Sequence, residues 1–196
     1  MRLAQPADAE RITTVINSAF RRAEGFFVDS DRIDAGSVLN FLNSGKFLLA
    51  ESEGSLLGCV YVEPRVVLLS EESATIHDRA SDDPGKENFD LRGRMRNSQS
   101  EISNPKLSRA YLGLLAVDPA HQHCGLGSVL MDAAEDYCRG LGIRFMDIKV
   151  VHLRAELPAY YRRRGYVETG TSPFPADIET KQPCHFIEMS KQLVAS

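Results

Sequence analysis

Between Gln122 and Ser128 the chain reads Gln-His-Cys-Gly-Leu-Gly-Ser, with two glycines just ahead of a stretch of helical periodicity. The first amides of a helix have no intrahelical acceptor and lie at the positive end of its dipole. Gly125 and Gly127 carry no side chain to hold a ligand away from them, so the chemistry implied is phosphate binding. Two better-known glycine motifs fit less well. A P-loop needs a lysine directly after its last glycine, whereas Ser128 and Val129 follow Gly127. A dinucleotide fingerprint finds Asp147 about 20 residues on, where a ribose-binding acid belongs. Leu130 then takes the place of its third glycine, and His121 to Cys124 separate the turn from the first. A triphosphate site is excluded and a dinucleotide-binding oxidoreductase fits poorly.

The elements that must hold this loop are readable on both sides. Tyr111 to Val117 is apolar almost throughout, as in a strand buried on both faces, and Asp118-Pro119 ends it because proline offers no ladder N–H. After the loop, Leu126, Val129, Leu130, Ala133, Tyr137, Cys138 and Leu141 mark one face of a helix. Ile143 to Val151 reads as the next strand, and a strand-helix-strand crossover of this length predicts parallel pairing.

Upstream, Leu3-Ala4 reads as a short strand and Asp8 as the N-cap of a helix carrying Ile12, Val15, Ile16, Ala19 and Phe20; a second helix starts near Asp34. Lys46 to Glu51 and Leu56 to Glu63 form a hairpin, its second strand running on through Leu69. From Ser70 to Ser108 the chain is polar, of mixed charge and without periodicity, which predicts a partly disordered insertion rather than a nucleic-acid or membrane arm. His152 to Tyr166 reads as a short helix with Pro158 in its first turn and Gly165 at its C-cap. The basic run Arg162 to Arg164 falls in its last turn, where cations complement the dipole. Tyr166 to Glu168 and Cys184 to Met189 form a closing strand pair around a stiff loop, Ser172 to Pro175.

With 196 residues, 43% of them hydrophobic, the chain suits a single domain spanning 1–196. A net charge of −4 argues against nucleic acid as a partner. The four cysteines form no C-x-x-C pair, so neither a disulfide framework nor a metal site is expected. No apolar run reaches the ~18 residues of a membrane span, and a soluble, cytoplasmic protein is expected.

Gln122-His123-Cys124-Gly125-Leu126-Gly127, following Val117-Asp118-Pro119, resembles the Q/R-x-x-G-x-G/A motif of the GNAT superfamily of acyl-CoA N-acyltransferases. Tyr160-Tyr161-x-x-x-Gly165-Tyr166 resembles a second landmark of that family. The resemblance implies an α/β (α+β) fold, a mixed twisted sheet of about six or seven strands flanked by helices. Two neighbouring parallel strands splay apart in that fold and admit acetyl-CoA between them.

It also implies the chemistry: a neutral amine of a small molecule or peptide attacks the thioester, and the tetrahedral oxyanion collapses with loss of CoA thiolate. Backbone amides around Leu115, Ala116 and Val117 would polarise the thioester carbonyl, and those of Gln122, His123, Cys124, Gly125, Leu126, Gly127 and Ser128 would hold the pyrophosphate. Tyr161 would protonate the thiolate. Apart from the resemblance, contact of one arginine of the 162–164 run with a CoA phosphate is the alternative to its helix-dipole role. Gly113 stands where many relatives carry a glutamate. The base is therefore open among Glu63, Asp147, His152, Glu156 and water, and a non-catalytic acyl-CoA-binding module is the alternative. Arg154 would clamp a carboxylate on the acceptor or pair with Glu156 or Glu168. Phe26 and Phe27 would either line the acceptor side or belong to the core.

Overall fold

The computed structural model describes residues 1–66 and 107–193. Seven strands form one sheet in the order β1-β2-β3-β4-β5-β7-β6. They are β1 (Arg2–Leu3), β2 (Lys46–Ser52), β3 (Ser55–Val66), β4 (Leu107–Val117), β5 (Phe145–Val151), β6 (Val167–Pro173) and β7 (His185–Gln192). The helices are α1 (Ala9–Glu24), α2 (Ala35–Ser44), α3 (Leu126–Gly140) and α4 (Glu156–Arg163). The mixed sheet flanked by helices agrees with the expected fold class. β3 runs on past Glu63 to Val66 as expected, and the rest of that run-on to Leu69 and nearly all of the 70–108 insertion lie outside the described residues, but Leu107 and Ser108 belong to β4. Ser172 and Pro173, expected in a loop, pair with Phe186 and His185 at the end of β6.

Strand alternation distributes the core over both faces of the sheet. Phe47 and Leu49 of β2 pack with Ile12, Val15 and Ile16 of α1, while Leu48 and Ala50 pack with Leu130, Met131, Ala134 and Cys138 of α3. The buried face of α3 is rotated by about one position from the sequence expectation. Val129 is 53% exposed, and Met131, Ala134 and Glu135 are buried instead. Glu135 can lie in that face because cations from three other places in the chain converge on its carboxylate.

The cleft arises from how β4 pairs. Against β5 it is paired in parallel only at Arg109, Ala110 and Tyr111, opposite Phe145, Met146 and Asp147. Beyond that point β4 stays with β3 and β5 stays with β7, so the two strands part. A bulge accompanies the parting. Cys59 faces Ala116 and Tyr61 faces Gly113, so Leu114 and Leu115 together oppose Val60. Leu114 takes φ 48°, a left-handed conformation that is strained for a leucine.

Asp8 precedes α1 as expected but does not cap it with its side chain. Its carboxylate instead accepts both terminal nitrogens of Arg2, each at 2.7 Å, and the Gln5 N–H at 2.8 Å. The Arg2 hydrogen bonds, partly opposed by burial, pull its pKa down to about 2. A folded pKa below the unfolded value of about 3.9 means this stabilisation is present above about pH 4 and is lost as pH falls toward about 2. Asp8→Asn is therefore expected to flatten the acid limb of stability in urea titrations across that window. A limb as steep as the wild type's would refute the assignment.

Candidate active site

The parted strands bound a cavity of about 600 Å³. Its wall runs from Leu114, Leu115 and Val117 on β4, through the loop to Ser128, to Ile148 to Val151 on β5 and Tyr160 and Tyr161 on α4, with the end of α1 closing the far side.

The loop is shaped by hydrogen bonds and by positive φ. Asp118 donates its N–H to the Leu57 carbonyl at 2.8 Å and accepts the Ala120 N–H at 2.7 Å. Gln122 Nε2 donates to the Val117 carbonyl at 3.1 Å, tying the loop to the end of β4. His123 at φ 64° and Gly125 at φ 85° turn the chain so that α3 begins pointing at the cleft. The amides of Leu126 and Gly127 lie in the first turn, without intrahelical acceptors. A Cβ at Gly125 would meet nothing within 4 Å, and one at Gly127 only Val117 Cγ2 at 3.9 Å, so the space beside these amides is open. A pyrophosphate fits that setting. The cleft wall includes Leu115, Val117, Gln122, His123, Gly125, Leu126, Gly127 and Ser128. Ala116 turns its side chain into the core under α1, and exposed Cys124 donates its thiol to the His121 carbonyl at 2.9 Å.

Tyr161 owes its position to the end of α4. Gly165 at φ 88° lets its N–H reach the Arg162 carbonyl at 3.0 Å and lets the Tyr166 N–H reach the Tyr161 carbonyl at 3.1 Å. Those two bonds make a Schellman cap, with the Tyr161 and Tyr166 rings in the accompanying contact at 5.6 Å. The spacing Tyr161-x-x-x-Gly165-Tyr166 is the sequence trace of this cap. Burial, reinforced by Tyr160 and Tyr111 and opposed by Arg154 and Arg164, pushes the Tyr161 phenol up to about 12. Its proton is retained at neutral pH, as a donor's must be.

The arginine run divides. Arg162 pairs with Glu168 and Arg164 with Asp132, whereas Arg163 faces the cleft. Among the candidate bases only Glu156 lines the cleft. Desolvation raises its pKa, but the 2.6 Å bond from Arg154 and a backbone N–H outweigh that and leave it below the ordinary carboxylate value. Glu63 borders a separate recess near Phe41, Asp147 is paired with Arg109, and His152 is stacked on His185 at 3.9 Å with its Nδ1 accepting the His185 N–H. Phe27 is fully buried, packed edge-on against Phe26 and Phe174, and Phe20 lines the cleft instead. Sequence reading also passed over Glu24, which is 7% exposed at the end of α1 and lines the cleft. Its setting, Arg-Arg-Ala-Glu-Gly, has the polarity of a solvated helix end.

Residues 11–166 match the acetyltransferase (GNAT) family, and the chain belongs to it. No curated protein matches the sequence. Among solved structures, a protein described as a phosphinothricin N-acetyltransferase superposes with a TM-score of 0.66 at 17% identity, covering 98% of this chain and 97% of its own. The ribosomal-protein-alanine N-acetyltransferase from Brucella melitensis gives 0.63 at 16% identity, covering 98% of each chain. A protein from Salmonella typhimurium, described as an acetyltransferase and solved with its cofactor acetyl-CoA, gives 0.62 at 19% identity, covering 100% and 94%. At these identities the likeness is one of fold.

Proposed function

We propose that the protein is an N-acetyltransferase that moves an acetyl group from acetyl-CoA to a primary amine of a small molecule or peptide. The observation that carries the proposal is that one cavity joins the open helix start at Gly125 and Gly127 to the buried phenol of Tyr161. Anion site and proton donor thus lie on the two sides of a cleft opened between parallel strands.

In this reading the Gln122–Ser128 amides hold the pyrophosphate and Arg163, exposed on the cleft wall, adds a cation for a phosphate. The bulge at Leu114 takes the backbone there out of the ladder with β3, leaving amides near Leu115 to polarise the thioester carbonyl. Tyr161 gives its proton to the departing thiolate, and Arg154, paired with Glu156, borders the acceptor side of the cleft. No described helix is long and apolar enough to cross a membrane, and a cytoplasmic enzyme is part of the same proposal.

One observation favours a second reading, an acyl-CoA-binding module without turnover. Gly113 brings no carboxylate to β4, and a Cβ there would lie 2.7 Å from the Tyr111 ring. Release of free thiol from acetyl-CoA in the presence of a panel of amines, amino acids and peptides separates the two. Turnover with any acceptor supports the transferase, whereas tight CoA binding without release across the panel supports the module.

Gly127→Val is expected to weaken CoA binding about tenfold or more in calorimetry, because branched methyls would occupy the open space beside the helix start. Unchanged affinity would move the pyrophosphate elsewhere.

A further inference from the structure

The base is the part of the reaction still without a residue, and β4 cannot supply it from position 113. A Cβ there would sit 2.7 Å from Tyr111 Cε1 and 2.8 Å from its hydroxyl, so the tyrosine ring already fills that place. A proton acceptor must come from another wall of the cleft.

Glu24 stands on that wall in an unusual state for a buried carboxylate. Asp8 and Glu135 are each held by several hydrogen bonds. Among the described residues the Glu24 carboxylate accepts none, and its nearest cation, Arg32 Nη1, is 3.9 Å away, beyond hydrogen-bond reach. Arg32 is partly buried, its side chain 25% exposed and its guanidinium 5.1 Å above the Phe20 ring, and it lines the same cavity. Buried charges without hydrogen bonds are costly unless a ligand completes them. An unsaturated carboxylate beside an unsaturated guanidinium is the complement of a zwitterion whose ammonium and carboxylate are separated by one carbon.

We propose that Glu24 and Arg32 form the acceptor site for a free α-amino acid, with Glu24 binding its ammonium and removing the proton that blocks attack. The inference rests on the transferase reading above. The ammonium proton passes to Glu24, the freed lone pair forms the N–C bond, and the C–S bond breaks with its electrons on sulfur. Tyr161 protonates the sulfur; the second proton lost by nitrogen goes to water, from which Tyr161 is reprotonated. Burial raises the Glu24 pKa above the ordinary carboxylate value, with Arg32 and Arg154 opposing, which strengthens it as a base. Cys184 is the other titratable group that feels it, and Lys181 is turned to the neighbouring Gly25 carbonyl at 2.9 Å. Arg154 is engaged by Glu156 and leaves Arg32 as the carboxylate partner.

The test is steady-state transfer from acetyl-CoA to α-amino acids, each compared with its amide and its decarboxylated amine. The best amino acid is expected to exceed both analogues by about tenfold or more in kcat/KM. Arg32→Gln is expected to erase that preference while leaving acetyl-CoA affinity intact in calorimetry. Glu24→Gln should lower kcat/KM about 100-fold or more at neutral pH. The deficit should shrink as pH nears the amine's own pKa, because the bulk then supplies free amine, and Glu24→Asp should recover part of the rate. Equal rates for amino acid and decarboxylated amine, or a Glu24→Gln enzyme with the wild-type rate at neutral pH, would overturn the inference and leave the transferase standing. If Glu24→Gln fails to bind acetyl-CoA through misfolding, the wild-type preference and Arg32→Gln still decide. Wild-type protein that binds acetyl-CoA but acetylates no α-amino acid would overturn this inference alone, and one that also acetylates none of the wider panel of amines and peptides would remove the transferase reading with it.

Discussion

Tyr161→Phe is expected to lower kcat for acetyl transfer by about 100- to 1000-fold while changing acetyl-CoA affinity little. A phenol held near 12 keeps its proton at any working pH, and a departing alkyl thiolate, with an intrinsic pKa of about 8.5, gains from receiving one as the C–S bond lengthens. Phenylalanine keeps the ring, and with it the edge contacts to Tyr160 at 5.2 Å and Tyr166 at 5.6 Å. No described group hydrogen-bonds the Tyr161 hydroxyl, so its removal is expected to cost less than about 1 kcal/mol of stability. The effect should therefore appear in kcat and not in the melting temperature. Tyr160→Phe is the control, since it gives up only a 3.3 Å contact with Ser128 Oγ. Full turnover in Tyr161→Phe would end the donor role, and a large loss of stability would assign Tyr161 to packing.

What could be read from the sequence was whatever residue type alone signals. A strand buried on both faces shows as an apolar run, a helix start as glycines ahead of a periodic stretch, and the α4 cap as Gly165 beside Tyr166. Together these gave the crossover and the two landmarks. The parting of β4 from β5 came only through the family resemblance, because nothing in Leu112 to Val117 announces where a ladder stops. The bulge was invisible for the same reason, since a leucine at positive φ carries no residue-type signal. The acid-base candidates stand out in the sequence only by their places along the chain. Their chemistry depends on partners distant in sequence, Arg109 for Asp147, 38 residues away, and His185 for His152, 33 residues away. Glu24 carries no signal in its own stretch of sequence, because its burial comes from the walls of the cleft and not from the pattern of α1.

Glu135 is the largest such case, and Glu135→Ala is expected to destabilise the protein by about 3–5 kcal/mol. The carboxylate is 2% exposed and accepts Lys191 Nζ at 2.6 Å and Arg139 Nη2 at 3.2 Å, with Arg164 Nη2 at 4.0 Å and the Tyr166 hydroxyl at 3.5 Å. It therefore ties α3, the C-cap residue Arg164 of α4, Tyr166 two residues beyond it and β7 to one point. Burial, reinforced by the field of Glu135, holds the Tyr166 phenol well above its ordinary value and the Cys138 thiol up at about 12. Truncation leaves Lys191 without its counter-charge beside an apolar core, while Arg164 keeps Asp132 and Arg139 keeps Asp136, and a largely buried cation stripped of its partner costs more than the pair contributed. For a chain of this size the loss corresponds to a fall in Tm of roughly 10 °C, with the urea m-value unchanged if the unfolded state is unaffected. Lys191→Met should cost less, because Arg139 and Arg164 still face the remaining charge. A loss below about 1 kcal/mol in Glu135→Ala would mean that water replaces the carboxylate and that the cluster does not organise the packing of α3 against α4.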